Sequence, residues 1–153
     1  LRDELTMNEL YPLIEEAIAG GGTFRFYPRG ISMLPMLEPG KDSIELSQAD
    51  TVETGDVLFY RRDNGVFVLH RLIEKRGDTY TMCGDHQWAL EYGIRPDQVL
   101  AKLVGFYKED VYHSVDEPEY LAYQKKMVKR FRFYRRNPTI YAFLRKIKRI
   151  FKK

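Results

Sequence analysis

A chain of 153 residues with 44% apolar side chains is long enough for one domain with a real core. It holds no run of about eighteen apolar residues and no basic-then-apolar leader pattern, so neither a spanning helix nor a secretory signal is expected. The formal charge of +3 hides a polarity: thirteen of the 25 Lys and Arg and none of the 22 acids stand from Lys125 onward, so the tail is basic and the body acidic.

In chain order, Thr6 and Glu9 have capping-box spacing at the start of a short amphipathic helix reaching Ala19, and Gly20-Gly21-Gly22 stops it. Residues 1–22 thus read as an N-terminal helix and linker. Thr23–Tyr27 alternates and is rich in aromatics, as a strand should be. Asp42–Leu46, Asp56–Arg61 and Val66–Glu74 read as further strands, the last two joined by Arg62-Asp63-Asn64-Gly65, whose Asn-Gly favours a tight hairpin. Thr79–Met82 follows a Gly77-Asp78 turn, and Val99–Tyr107 closes a series of about six strands, so residues 23–110 form a mainly β domain. Residues 111–153 read as a basic helical extension. Asp116-Glu117-Pro118-Glu119 starts a helix reaching about Arg136, and Asn137-Pro138 starts another with a cap residue and a first-turn proline. On that last helix Ile140, Phe143, Leu144, Ile147 and Phe151 share a face, with Arg145, Lys146, Lys148, Arg149, Lys152 and Lys153 around them.

Four landmarks occur in order along the body: Ser32-Met33-Leu34-Pro35, Gly55-Asp56-Val57, Val68-Leu69-His70-Arg71, and Gly84-Asp85. Each alone is ordinary, since Gly-Asp is a common turn pair and a histidine on an apolar strand is usually a core residue. Together, over roughly Phe24 to Phe106, they resemble the clan that unites type I signal peptidases with self-cleaving SOS and phage repressors. The resemblance implies a β half-barrel carrying a serine nucleophile. Ordinary bacterial members have lysine where this chain has His70. Histidine followed by arginine is similar to the endoplasmic-reticulum branch, and where ordinary signal peptidases commonly have a membrane anchor before the serine a short amphipathic helix is expected here.

A serine hydroxyl attacks a carbonyl only if a base takes its proton, and imidazole suits that task near neutral pH. Ser32 and His70 are the expected pair. An acid that orients the imidazole is expected as well. Asp85 matches the family's Gly-Asp landmark and Glu91 lies near a second family acid, with Asp85→Asn expected to harm turnover more than Glu91→Gln. Many bacterial relatives have a hydroxyl two residues before the nucleophile. This chain has Gly30, so the oxyanion must rest on backbone amides such as Ser32 N–H, with Gly30 permitting a close approach.

Cys83, the single cysteine, reads as a buried strand residue rather than a nucleophile. His86 and His113 lack metal-ligand spacing, and Gly20–Gly22 lacks the ending of a phosphate loop, so no metal or other cofactor is expected. Two function classes follow: a serine endopeptidase cleaving an extended peptide or precursor protein near a membrane, or a non-catalytic module holding a peptide or lipid surface on the same fold. For the tail the expected partner is an anionic membrane surface, ahead of packing on the body or nucleic acid. No helix-turn-helix is legible before the serine loop, so a repressor role is not expected. The expected location is cytoplasmic, peripheral on the inner face of the membrane. Truncation after Tyr123 is expected to release the protein from anionic vesicles and to spare hydrolysis of a short soluble peptide.

Overall fold

Local signals set most element boundaries. In the computed structural model, which describes residues 5–151, Thr6 and Glu9 form a reciprocal capping box and α1 runs Met7–Ala19. Its Ile14 and Ile18 enter a core with Met33, Met36, Leu37, Ile44, Leu46 and Phe59. The strands are β1 (Phe24–Phe26), β2 (Ser43–Ser47), β3 (Val57–Arg61), β4 (Phe67–Arg76), β5 (Thr79–Cys83), β6 (Glu91–Ile94), β7 (Val99–Lys108) and β8 (Val111–Ser114). Helices α2 (Pro118–Arg136) and α3 (Pro138–Ile150) follow.

All pairings are antiparallel, in the open order β1-β2-β7-β3-β4-β5-β6. Among the described residues the mainly β expectation therefore holds at the level of an open antiparallel sheet with three α-helices. Strand β7 pairs β2 along one edge and divides the other between β3 and β8. Register shifts at Glu45/Leu46, Phe59/Tyr60, Leu72/Glu74 and Tyr80/Met82 mark bulges, which sharpen twist and bend the sheet. The Asn64-Gly65 hairpin forms: Arg62 N–H donates to the Val66 carbonyl, and Gly65 takes φ +84°. It fixes the register Arg61 to Phe67, Tyr60 to Val68 and Leu58 to His70.

Two strands escape the sequence reading. Both are four residues long; β6 carries Gly93 at φ +77°, and β8 falls in the stretch read as part of the helical extension. The extension differs from expectation in a second way. On α2, Tyr120, Met127, Val128 and Phe131 are buried, Phe131 against Ile73 and Cys83, so this helix covers one face of β4. Truncating Phe131 to alanine would cost about 3–5 kcal/mol by the usual cavity penalty. Truncation after Tyr123 would therefore remove Met127, Val128 and Phe131 from the core.

Helix α3 is the contrasting case, with no buried residue. It touches the body through Lys148, whose Nζ donates to the His86 carbonyl at 2.9 Å and lies 5.3 Å from the Trp88 ring centre. Asn137 does not cap α3 with its side chain; its Nδ2 instead donates back to the Phe133 carbonyl and closes α2. The expected stripe divides: Leu144 and Ile147 are half-buried, while Ile140, Phe143 and Phe151 are exposed together with Ile150. Lys152 and Lys153 lie outside the described residues. Among those described, no helix is long and apolar enough to cross a membrane.

Candidate functional site

Ser32 stands in a turn between β1 and β2, half-buried, and its neighbours hold the turn by inserting Met33, Met36 and Leu37 into the core. Leu37 N–H donates to the Met33 carbonyl, giving one helical turn after the serine. Gly30 has φ +87°, and a Cβ there would meet nothing within 4 Å. Its glycine is thus required by backbone conformation, not by the close approach expected from the sequence. The close approach is at Gly84, where a Cβ would lie 2.6 Å from the Ser32 carbonyl oxygen and 3.0 Å from Ser32 Cβ. His86 N–H donates to that same carbonyl at 2.8 Å. The loop after β5 therefore braces the serine turn from below.

His70, on β4, is 4% exposed. It lines with Ser32 one cavity of about 220 Å³, whose other walls include Pro28, Arg29, Leu37, Phe67, Val68 and Gln87. Its Nδ1 lies 3.2 Å from Tyr60 Oη, and Tyr60 Oη donates to Glu91 Oε2 at 2.7 Å. Arg62 forks onto Glu91, Nε to Oε1 at 2.7 Å and Nη2 to Oε2 at 2.8 Å. Glu91 Oε2 is 3.9 Å from His70 Nδ1, beyond hydrogen-bond reach. Burial pushes the His70 imidazole down to about 4, opposed by the Glu91 charge, so the ring is neutral near neutral pH. For Glu91, burial works to raise its carboxyl, but the Arg62 and Tyr60 hydrogen bonds outweigh it and hold the group below its ordinary value. Tyr60 is raised by burial and by its hydrogen bond to Glu91, and so keeps its proton.

Asp85 sits elsewhere. Successive strand residues point to opposite faces, so Arg71 turns away from His70 and toward α2. There Arg71 Nε and Nη2 fork onto Asp85 at 2.8 and 2.7 Å, and Nη1 donates to the Gly55 carbonyl at 2.7 Å. Tyr123 Oη donates to Asp85 Oδ2 at 2.9 Å and Arg130 Nη2 to the Asp85 carbonyl at 2.5 Å. Both side chains of the pair are 0% exposed. Asp85 thus ties β5, β4, the turn before β3 and α2 together, and its carboxylate oxygens are occupied by Arg71 and Tyr123. Of the two acids, Glu91 is the one gathered around the imidazole.

Tyr60 and Arg62 went unnoticed in the sequence. The signal was there in the hairpin: an Asn64-Gly65 turn pairing Tyr60 with Val68 makes Tyr60 the diagonal neighbour of His70. Cys83 is buried at the end of β5, its thiol pushed up to about 12 by burial, with Sγ near the Gly84, Gln87 and Ala89 carbonyls. Such a thiol is inert as a nucleophile. His113 Nδ1 pairs with Glu117 at 3.1 Å, remote in sequence from the serine turn. Among the described residues no group of three or more His, Cys, Asp or Glu could hold a metal ion. Beyond Arg71, which pairs with Cys83, β5 leaves β4, so Phe67–His70 pair with β3 on one edge and with no strand on the other among the described residues. No protein-family model matches the chain, and no curated protein shows significant similarity to it.

Proposed function

We propose that the protein is a serine endopeptidase of the signal-peptidase and repressor-peptidase type, with Ser32 as nucleophile and His70 as general base. The observation that carries this is the shared cavity: the serine turn and the histidine strand, 38 residues apart in number, meet on one wall-lined space. The bent, bulged sheet is compatible with the half-barrel of that clan. An extended peptide would add along the unpaired edge of Phe67–His70, taking backbone hydrogen bonds from β4 and bringing its scissile carbonyl to Ser32.

In the reaction Ser32 Oγ bonds to the carbonyl carbon while its proton passes to His70 Nε2. The tetrahedral oxyanion is held by backbone amides, Ser32 N–H among them. As the C–N bond breaks, His70 returns the proton to the leaving amine. Water then attacks the acyl-enzyme with the same base assistance, and the acid product leaves. Glu91 is the acid that supports the imidazolium in this scheme, and Asp85 is structural.

A fluorophosphonate probe tests this without knowing the substrate. Wild type should be labelled at Ser32, and Ser32→Ala and His70→Ala should not be. A folded wild type that takes up no label would leave the non-catalytic peptide- or membrane-holding module as the better account. Mapping new protein N-termini in cells carrying wild type or Ser32→Ala would then name the substrates.

As a second part of the proposal, α3 rests on an anionic membrane surface. It rests on the four outward apolar side chains, Ile140 at 44%, Phe143 at 63%, Ile150 at 68% and Phe151 at 83% exposure, set among Arg145, Lys146 and Arg149. Removing residues 138–153, which spares α2, should abolish flotation with anionic vesicles, and salt should weaken but not erase flotation of the full chain.

A further inference from the structure

We propose that Tyr60 is a positioning residue that fixes His70 as the Nδ1–H tautomer and leaves Nε2 bare as the base for Ser32. The catalytic consequence rests on the peptidase proposal; the tautomer itself does not.

The conclusion follows from counting protons. Three donors converge on Glu91, two from Arg62 and one from Tyr60, at 2.7 to 2.8 Å. A carboxylate held in that way is ionised and can only accept. Tyr60 has one phenolic proton, and at 2.7 Å it is committed to Glu91 Oε2. What Tyr60 Oη has left for the 3.2 Å contact with His70 Nδ1 is a lone pair. Nδ1 must therefore carry the hydrogen and donate it. A neutral imidazole has one N–H, so Nε2, on the opposite edge of the ring, holds an unshared pair.

Glu91 cannot impose this order alone, because 3.9 Å from Oε2 to Nδ1 is too long for a direct hydrogen bond. The tyrosine hydroxyl spans the gap, and Arg62 holds the far end of the chain. During acylation no proton needs to pass along it. The serine proton goes to Nε2, the Nδ1 proton stays on the ring, and the positive charge formed faces a hydroxyl already polarised by a carboxylate. The groups that set the ring's charge are Tyr60 and Arg62 from β3 and its turn, Glu91 from β6, and Asp85 from the end of β5.

The test is nitrogen-detected NMR of ¹⁵N-histidine-labelled protein, with His70 assigned by comparison with His86→Gln and His113→Gln. Wild type at neutral pH should show His70 neutral and protonated at Nδ1. Tyr60→Phe keeps the ring and removes the hydroxyl, so the population should move toward Nε2–H, with kcat reduced about tenfold or more and KM little changed. Glu91→Gln should move it the same way, because an amide can donate and frees the tyrosine proton to point at Nδ1. Glu91→Gln also carries the test if Tyr60→Phe does not fold. A wild-type His70 protonated at Nε2, or a folded Tyr60→Phe that keeps the Nδ1–H form, would overturn the inference. The wild-type tautomer with no fluorophosphonate labelling would uphold the inference and remove the peptidase proposal instead.

Discussion

Two arginine–carboxylate forks, one joining β4 to the turn after β5 and the other joining the turn after β3 to β6, have opposite characters. Arg71–Asp85 has both side chains fully buried and draws in Gly55, Tyr123 and Arg130. Arg62–Glu91 sits at the rim, with side chains 37% and 24% exposed, and its extra hydrogen bond goes to a tyrosine that faces the histidine. The chemistry of the two forks is the same, so burial and the third partner decide the duty of each. A fully desolvated pair locks elements together, because breaking it strands a charge without water. A half-exposed pair is energetically soft and is free to orient a neighbour.

The largest expected separation between them is in stability. Asp85→Asn leaves Arg71 buried against a neutral partner and should cost about 3–5 kcal/mol, read as a fall in Tm of about 6 °C or more for a chain of this size. An Asp85→Asn protein as stable as wild type would erase the distinction. His70 gives the next effect. Its folded pKa of about 4 lies below the ordinary 6.5, so the unfolded chain takes up the proton first as pH falls. The stability due to its neutral burial is complete above pH 6.5 and is lost on the way down to about pH 4, by about 3 kcal/mol. Urea unfolding at both ends of that window, with His70→Gln as the reference, should show this slope in wild type and its loss in the variant. In the peptidase proposal the same displacement puts the acidic limb of kcat/KM well below 6.5.

Gly84→Ala sharpens the comparison by disturbing the serine turn without changing a side chain of either fork. The added Cβ would press on the Ser32 carbonyl at 2.6 Å, so the serine turn and the loop after β5 must move apart. Fluorophosphonate labelling should slow by at least about tenfold, since small misplacements of a nucleophile cost about that much or more. An unchanged rate would mean that the brace plays no part. The smallest stability effect belongs to Glu91→Gln, whose rim pair should contribute no more than about 1 kcal/mol. Chemical denaturation should find it close to wild type while its tautomer and turnover change. If it unfolds as Asp85→Asn is expected to, the rim fork is a lock as well.

Helix starts, strands and turns were legible where local chemistry dictates them: the Thr6/Glu9 box, the Asn64-Gly65 hairpin, the alternating strand from Val66. The short strands β6 and β8 were not, because four residues that include a glycine or follow a tight turn carry too little periodicity. Helix α2 was read as part of a basic tail since its charge is plain in sequence. Its burial is not plain, because Tyr120, Met127, Val128 and Phe131 gain meaning only from the sheet face they cover. At the candidate site, Ser32 and His70 were legible by resemblance to a motif order. Asp85 ranked above Glu91 on that same order, and the structure gathers Glu91 instead.

The tight Asn64-Gly65 hairpin follows from neighbours in the chain, and the polarity of charge and the residue types available for acid–base chemistry from composition alone. Which acid meets the imidazole was decided only in three dimensions. His70 and Arg71 are adjacent in the chain, and the two-residue period of a strand sends them to opposite faces. The turn after β5 carries Asp85 to the helix-covered face, and the return of β6 beside β5, with Glu91 opposite Met82, brings Glu91 to the other. Pairing between strands sets that arrangement, and no local pattern of residues encodes it.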